Sequence, residues 1–186
     1  MVFLSFLRIP DGFSKPTPKE KIMTSATTTC DVEQDSPRVN LMPPKVFLLC
    51  LLSGGCMEFL FPTQLPLFAQ SLWMVVGIVV GAAGFAFMML AHEKFKKAGT
   101  NVPTNLPATT FIVQGAYRFS RNPMYVGGTA WFLGMALSVG SGWMVLAYLP
   151  LGVYLAFLVI PSEEAYMERT FGDAYQAYCR KVRRWL

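Results

Sequence analysis

The chain has 186 residues, 53% of them hydrophobic and 15% charged, with a formal net charge of +5 and a mean hydropathy of +0.40. Soluble domains carry about a quarter charged residues, so the composition argues against a soluble enzyme and for a single membrane domain. The positive charge does not imply nucleic acid, because no basic stripe interleaved with aromatics runs along a polar scaffold.

Residues 1–44 mix prolines, threonines and both charge signs. The opening MVFLSFLR has too short an apolar core for a signal peptide and no small-residue cleavage site after it. This segment reads as a poorly ordered cytoplasmic tail, with the membrane domain in 45–186, and Met23 or Met42 are alternative starts.

Four apolar runs follow. The first, VFLLCLLSGGCMEFLF (46–61), is short and holds Glu58 near its outer end, where the carboxylate is expected to reach the interface. The second, LWMVVGIVVGAAGFAFMMLA (72–91), is uncharged and matches the ~20 residues that cross a bilayer. The third (124–141) and fourth (143–160) are separated by Gly142 alone, which predicts a tight helical hairpin. Each reaches ~27 Å at ~1.5 Å per residue. Pro150 inside the fourth is tolerated where neighbouring helices satisfy the freed carbonyl. Gly77, Gly81 and Gly84 in the second run, and Gly127, Gly128 and Gly134 in the third, suit close helix packing.

Of the 16 Lys and Arg residues, six lie in 1–45, five in 92–122 and five after 160. None falls in 62–71 or at the turn near 142. The positive-inside rule then sets four spans, with both termini and the middle loop cytoplasmic. The expected fold is an all-α integral membrane protein with four transmembrane helices, a C-terminal hairpin and a cytoplasmic amphipathic tail helix. The host is a bacterial inner membrane or the endoplasmic reticulum. Cys30, Cys50, Cys56 and Cys179 show no CxxC spacing, and His92 has no cysteine at ligand spacing, so no metal is expected.

Chemistry must therefore sit in the two polar segments. The loop HEKFKKAGTNVPTNLPATTFIVQGAYRFSRNPMY (92–125) carries Pro103 and Pro107, which favour an extended path. Its FIVQGAYRF stretch fits a short strand or an interfacial helix equally well. Pro123 suits the first turn of the third helix and Asn122 its N-cap. Arg118 and Arg121, three apart at that helix mouth, also make an anion site.

The tail PSEEAYMERTFGDAYQAYCRKVRRWL (161–186) predicts a new helix capped by Ser162, with Glu163 and Glu164 in its first turn. Tyr166, Met167, Phe171, Tyr175, Tyr178, Val182 and Trp185 form an aromatic face beside a basic end, as in a helix lying on the cytoplasmic leaflet.

GAYRFSRNPMY, the hairpin, EE and FGDAYQAYCRKVRR, in that order, resemble the isoprenylcysteine carboxyl methyltransferase and phospholipid methyltransferase superfamily. FKKAGTNVPTNLP is similar to the loop of its bacterial-type members. The resemblance implies a membrane enzyme that binds S-adenosylmethionine at the cytoplasmic helix ends and takes a lipophilic methyl acceptor from the bilayer. By position, Gly115 and Tyr117 match the glycine-containing cofactor segment. Arg121, Asn122, Pro123 and Tyr125 match the arginine–histidine–proline–x–tyrosine motif, and Glu163 with Glu164 match the acidic pair. Asn122 stands where the prenylcysteine enzymes usually have histidine, which removes an imidazole but keeps amide hydrogen bonding. Arg121 and Glu164 are the expected catalytic pair. Arg121 would hold the methionyl carboxylate, a glutamate the ribose hydroxyls or ammonium, and the tyrosines the sulfonium or adenine.

Two other readings compete. One is a nicotinamide-dependent sterol-type reductase, which shares the arginine–histidine–proline element. The other is a non-enzymatic four-helix membrane protein, in which Arg121, Glu163 and Glu164 are dispensable for ligand binding.

Overall fold

A computed structural model describes residues 41–63, 71–97 and 111–186. The tail expected over 1–44 and the extended path around Pro103 and Pro107 lie almost wholly outside the described residues. Among those residues the protein is all-helical: α1 Pro43–Leu60, α2 Ser71–Lys97, α3 Pro123–Val139, α4 Gly142–Tyr154 and α5 Ile160–Cys179. A 3-10 turn, Gly115–Arg118, precedes α3, and a π-helical segment, Leu155–Val159, joins α4 to α5.

Large apolar side chains face outward along these helices, with Phe59 85% and Phe157 74% exposed. Helices apolar on all sides are stable where lipid replaces water. Among the described residues, three stretches are long and apolar enough to cross a membrane: Pro43–Leu60, Ser71–Lys94 and Gly142–Cys179. The 17 residues of α3 reach about 26 Å at ~1.5 Å each, short of a ~30 Å hydrocarbon core.

Helix pairing follows the glycines. α2 packs on α3 through Gly77, Gly81 and Gly84 against Gly127 and Gly134, as small residues allow where no hydrophobic force draws helices together. α1 packs on α4 at Gly54, where a Cβ would sit 3.0 Å from both Met144 Cα and Ala147 Cβ. Between α1, α3 and the α4–α5 helix, Cys50, Phe132, Leu151, Leu155 and Val159 form the core.

The hairpin turn lies one step earlier than Gly142. Gly140 closes α3 with φ +69°, and Ser141 is the N-cap of α4, its Oγ accepting from Met144 N at 3.1 Å. That same hydroxyl donates to Glu58 at 2.5 Å, and the carboxylate also accepts from Thr63 N at 2.9 Å. Glu58 thus ties the end of α1 to the start of α4. Ser141→Ala should destabilise the protein by about 1–2 kcal/mol, as loss of a cap does. The thermal midpoint in detergent checks this, and an unchanged midpoint would refute the capping role.

The tail does not start a new helix at Ser162. The fourth run continues through Pro161, and Ser162 caps nothing, because α5 is entered from the helical residue Val159. Proline at 161 cannot donate to the ladder, and the π segment just before it re-registers the bonds, with Ile160 N reaching Leu155 O five residues back. α5 then bends at Gly172 (φ +49°, ψ −126°), a conformation suited to glycine. The bend brings the far half of α5 against residues 111–120. Phe111 stacks on Phe171 at 5.2 Å, and Tyr166, Tyr175 and Tyr178 are buried. Much of the aromatic face expected on the leaflet is therefore spent on the protein, and Val182 and Trp185 lie beyond the end of α5.

Candidate active site

FIVQGAYRF forms neither a strand nor a long helix. Gly115 (φ +66°) turns the chain into the 3-10 turn, next to the Lys94 side chain. Tyr117 is buried, and its carbonyl accepts from the Tyr178 hydroxyl at 2.7 Å. Burial, with Glu163 nearby, pushes the Tyr117 phenol well above the usual tyrosine range, so it stays neutral.

Arg121, Asn122 and Pro123 make the entry to α3. Pro123 is in the first turn and Asn122 is the N-cap residue, as expected. The Asn122 side chain, however, does not cap the helix. Its Nδ2 donates to the Arg184 carbonyl at 3.1 Å, and its own N–H donates to the hydroxyl of fully buried Ser120 at 3.0 Å. Ser120 Oγ donates to the same Arg184 carbonyl at 3.2 Å, and Arg121 N donates to the Arg183 carbonyl at 2.9 Å. A short piece of the tail is thereby clamped across the turn.

Arg118 and Arg121 do not form one anion site. Arg118 is exposed, whereas Arg121 turns inward to Glu164, with Nη1 at 3.3 Å from Oε1. The same Nη1 donates to Cys179 Sγ at 2.8 Å. Burial works against the Arg121 charge, yet Glu164 beside it and the Cys179 sulfur hold its pKa above the ordinary arginine value. Its Nε is buried without a hydrogen-bond partner. Glu164 also receives Arg184, through Nε at 3.1 Å and Nη2 at 2.5 Å.

These groups line an open cleft of about 490 Å³, with Arg121, Glu164, Tyr175, Cys179 and Arg184 in its wall. Glu163 points elsewhere and accepts from the Tyr125 hydroxyl at 2.6 Å. The expected residues thus divide. Arg121 and Glu164 meet in the cleft, Asn122 and Pro123 support them, and Tyr125 with Glu163 forms a second pair behind. Gly115, Tyr117, Tyr125 and Glu163 are not part of the cleft wall.

Cys179, Arg184, Ser120 and the hydroxyl of Tyr178 carry no site signature in the sequence. Arg184 sits in a run, RKVRR, whose obvious use is contact with lipid headgroups. Chemically, the cleft sets guanidinium donors beside a carboxylate acceptor, which suits the two ends of an amino-acid zwitterion. The partnerless Arg121 Nε is the donor such a carboxylate would satisfy. Among the described residues, no three His, Cys, Asp or Glu side chains gather as a metal site.

Apolar helices long enough to cross a membrane define a membrane protein, and the charged cleft where they meet the polar segments is its candidate site. The chain belongs to the phospholipid methyltransferase family, whose pattern matches residues 72–174. It is similar to a protein-S-isoprenylcysteine O-methyltransferase of Schizosaccharomyces pombe, 30% identical over 151 residues that cover 73% of this chain and 61% of the relative. An uncharacterized protein of Haemophilus influenzae is 51% identical over 41 residues, 19% of this chain and 65% of that protein. The chain therefore spans less than two thirds of the length of either relative. No solved structure matches it significantly.

Proposed function

We propose that the protein is an integral membrane methyltransferase that moves a methyl group from S-adenosylmethionine to a lipophilic acceptor, such as a prenylcysteine carboxylate or a phospholipid amine. The observation that carries this reading is the Arg121–Glu164 pair, joined at 3.3 Å across the α3 entry and α5, with both residues inside the matched 72–174 stretch. Four spans with both termini cytoplasmic put this cleft at the inner leaflet, with α3 as the short third span beside its glycine-packed partner α2.

In this reading Arg121 holds the methionyl carboxylate, and its free Nε supplies a second donor for a two-point contact. Glu164 takes the ammonium or the ribose hydroxyls. Asn122 and Pro123 fix the backbone that carries Arg121, and Gly115 and Tyr117 complete the cofactor side of the turn. The cofactor brings an activated methyl on a sulfonium, so the protein's work is alignment and exclusion of water. A carboxylate acceptor needs no base. For an amine acceptor, one of the two glutamates takes the proton.

Calorimetric titration of the detergent-purified protein with S-adenosylmethionine tests the reading. Micromolar binding is expected, strongly but measurably weakened in Glu164→Gln. Methyl transfer from labelled cofactor to a farnesylcysteine analogue, or to vesicles containing phosphatidylethanolamine, then separates the two acceptors. A folded, monodisperse sample that binds no S-adenosylmethionine overturns the proposal, and binding of a nicotinamide cofactor instead would favour the reductase reading.

A further inference from the structure

The tail beyond α5 makes more contacts with the cleft than its sequence suggests. Arg184 lies outside the 72–174 stretch that defines the family match, yet it touches both halves of the cleft. Its carbonyl accepts from Asn122 Nδ2 at 3.1 Å and from Ser120 Oγ at 3.2 Å, on the α3 side. Its guanidinium reaches Glu164 on the α5 side with two nitrogens, Nε on Oε1 at 3.1 Å and Nη2 on Oε2 at 2.5 Å. A planar fork set on both oxygens of a carboxylate fixes its rotation as well as its position, which a lysine cannot do. Arg121 meets Glu164 through one nitrogen at 3.3 Å and leaves that rotation open.

We propose that Arg184 is a positioning residue of the cofactor cleft: its backbone anchors the Asn122 turn while its side chain orients Glu164. The inference rests on the methyltransferase reading. The Arg184 side chain is 43% exposed, against 14% for Glu164, so its fork is the outer support of a more buried carboxylate. Two guanidiniums on one carboxylate leave this part of the cleft with a net positive charge, which favours the carboxylate end of a zwitterion. The Glu164 oxygens, held in place, remain aimed at its ammonium or at ribose hydroxyls. Because the anchoring of Asn122 uses the main chain, replacing the Arg184 side chain separates orientation of Glu164 from attachment of the tail.

The experiment is a double-mutant cycle on cofactor affinity in the full chain. Titrations with S-adenosylmethionine compare wild type, Arg184→Gln, Glu164→Gln and the double variant, with thermal unfolding of each cofactor-free protein alongside. Arg184→Gln should weaken binding about tenfold or more, as expected for removing hydrogen bonds to a charged group. The double variant should be no weaker than Glu164→Gln alone, since Arg184 acts through that carboxylate. Arg184→Lys, which keeps the charge without the fork, should fall between wild type and Arg184→Gln, and it gives the reading if Arg184→Gln fails to fold. Unchanged or tighter binding in the Arg184 variants, or additive losses in the cycle, would overturn the assignment. A folded wild type that binds no S-adenosylmethionine would overturn it together with the methyltransferase reading, whereas a binding wild type with unaffected Arg184 variants would overturn only this inference.

Discussion

Arg121→Ala is expected to weaken S-adenosylmethionine binding by about 2–5 kcal/mol, at least about thirtyfold, the usual result of truncating one member of a hydrogen-bonded charge pair. The loss has two parts. The ligand carboxylate forfeits its guanidinium, and Glu164 is left with Arg184 as its remaining cation. Arg121→Lys should recover only part of it, because an ammonium keeps the charge but lacks both the planar fork and the Nε donor. Folding should survive, since the link from residue 121 to the tail runs through its main-chain N–H to the Arg183 carbonyl. Calorimetry gives the affinity, and methyl transfer from labelled cofactor gives kcat/KM, which should fall in parallel. An Arg121→Ala protein that binds at the wild-type Kd would remove the cofactor role from this residue and revive the non-enzymatic reading.

How far such a site could be read in advance depended on how local its determinants are. Arg121, Asn122 and Pro123 are adjacent, and Glu163 and Glu164 directly follow an apolar run, so their types and order point to chemistry without any knowledge of distance. The helix ends were legible for the same reason, since Pro123 marks the start of α3. What the sequence concealed depends on contacts between distant residues. Asn122 reads as a capping side chain until the carbonyl of Arg184, 62 residues away, competes for its amide. Proline at 161 reads as the end of a helix, because its missing N–H normally terminates the ladder. Inside a packed helix pair, the π segment absorbs the defect at lower cost than a break would carry. Arg184 was hidden twice over, by a basic run with a simpler use and by the bend at Gly172, which no periodicity announces.

The second large effect concerns the scaffold that places α3, and with it Arg121. Gly134→Leu should prevent folding of the α2–α3 pair. A Cβ at Gly134 would lie 2.5 Å from Gly81 Cα and 2.7 Å from the Gly77 carbonyl oxygen, both backbone atoms that no rotamer change can move. Gly134→Ala already places that carbon, so it should be strongly destabilising; overpacking in cores that can relax costs about 1–3 kcal/mol, and here the helix axes themselves must part. The same reasoning predicts the opposite result six residues earlier on the same helix. At Gly128 the nearest atoms to an added Cβ are Met88 Sδ at 3.8 Å and Phe47 Cε2 at 3.9 Å, an ordinary contact, so Gly128→Ala should fold and run as a monodisperse peak. Gly55→Ala on α1 meets nothing within 4 Å and should be at least as stable as wild type, because alanine is the better helix former by about 1 kcal/mol. Size-exclusion profiles and thermal midpoints in one detergent compare the three. If Gly134→Ala matched Gly128→Ala in both, α2 and α3 would not pack by close backbone approach. The entry to α3 would then owe its position to the tail clamp at Arg183 and Arg184 instead.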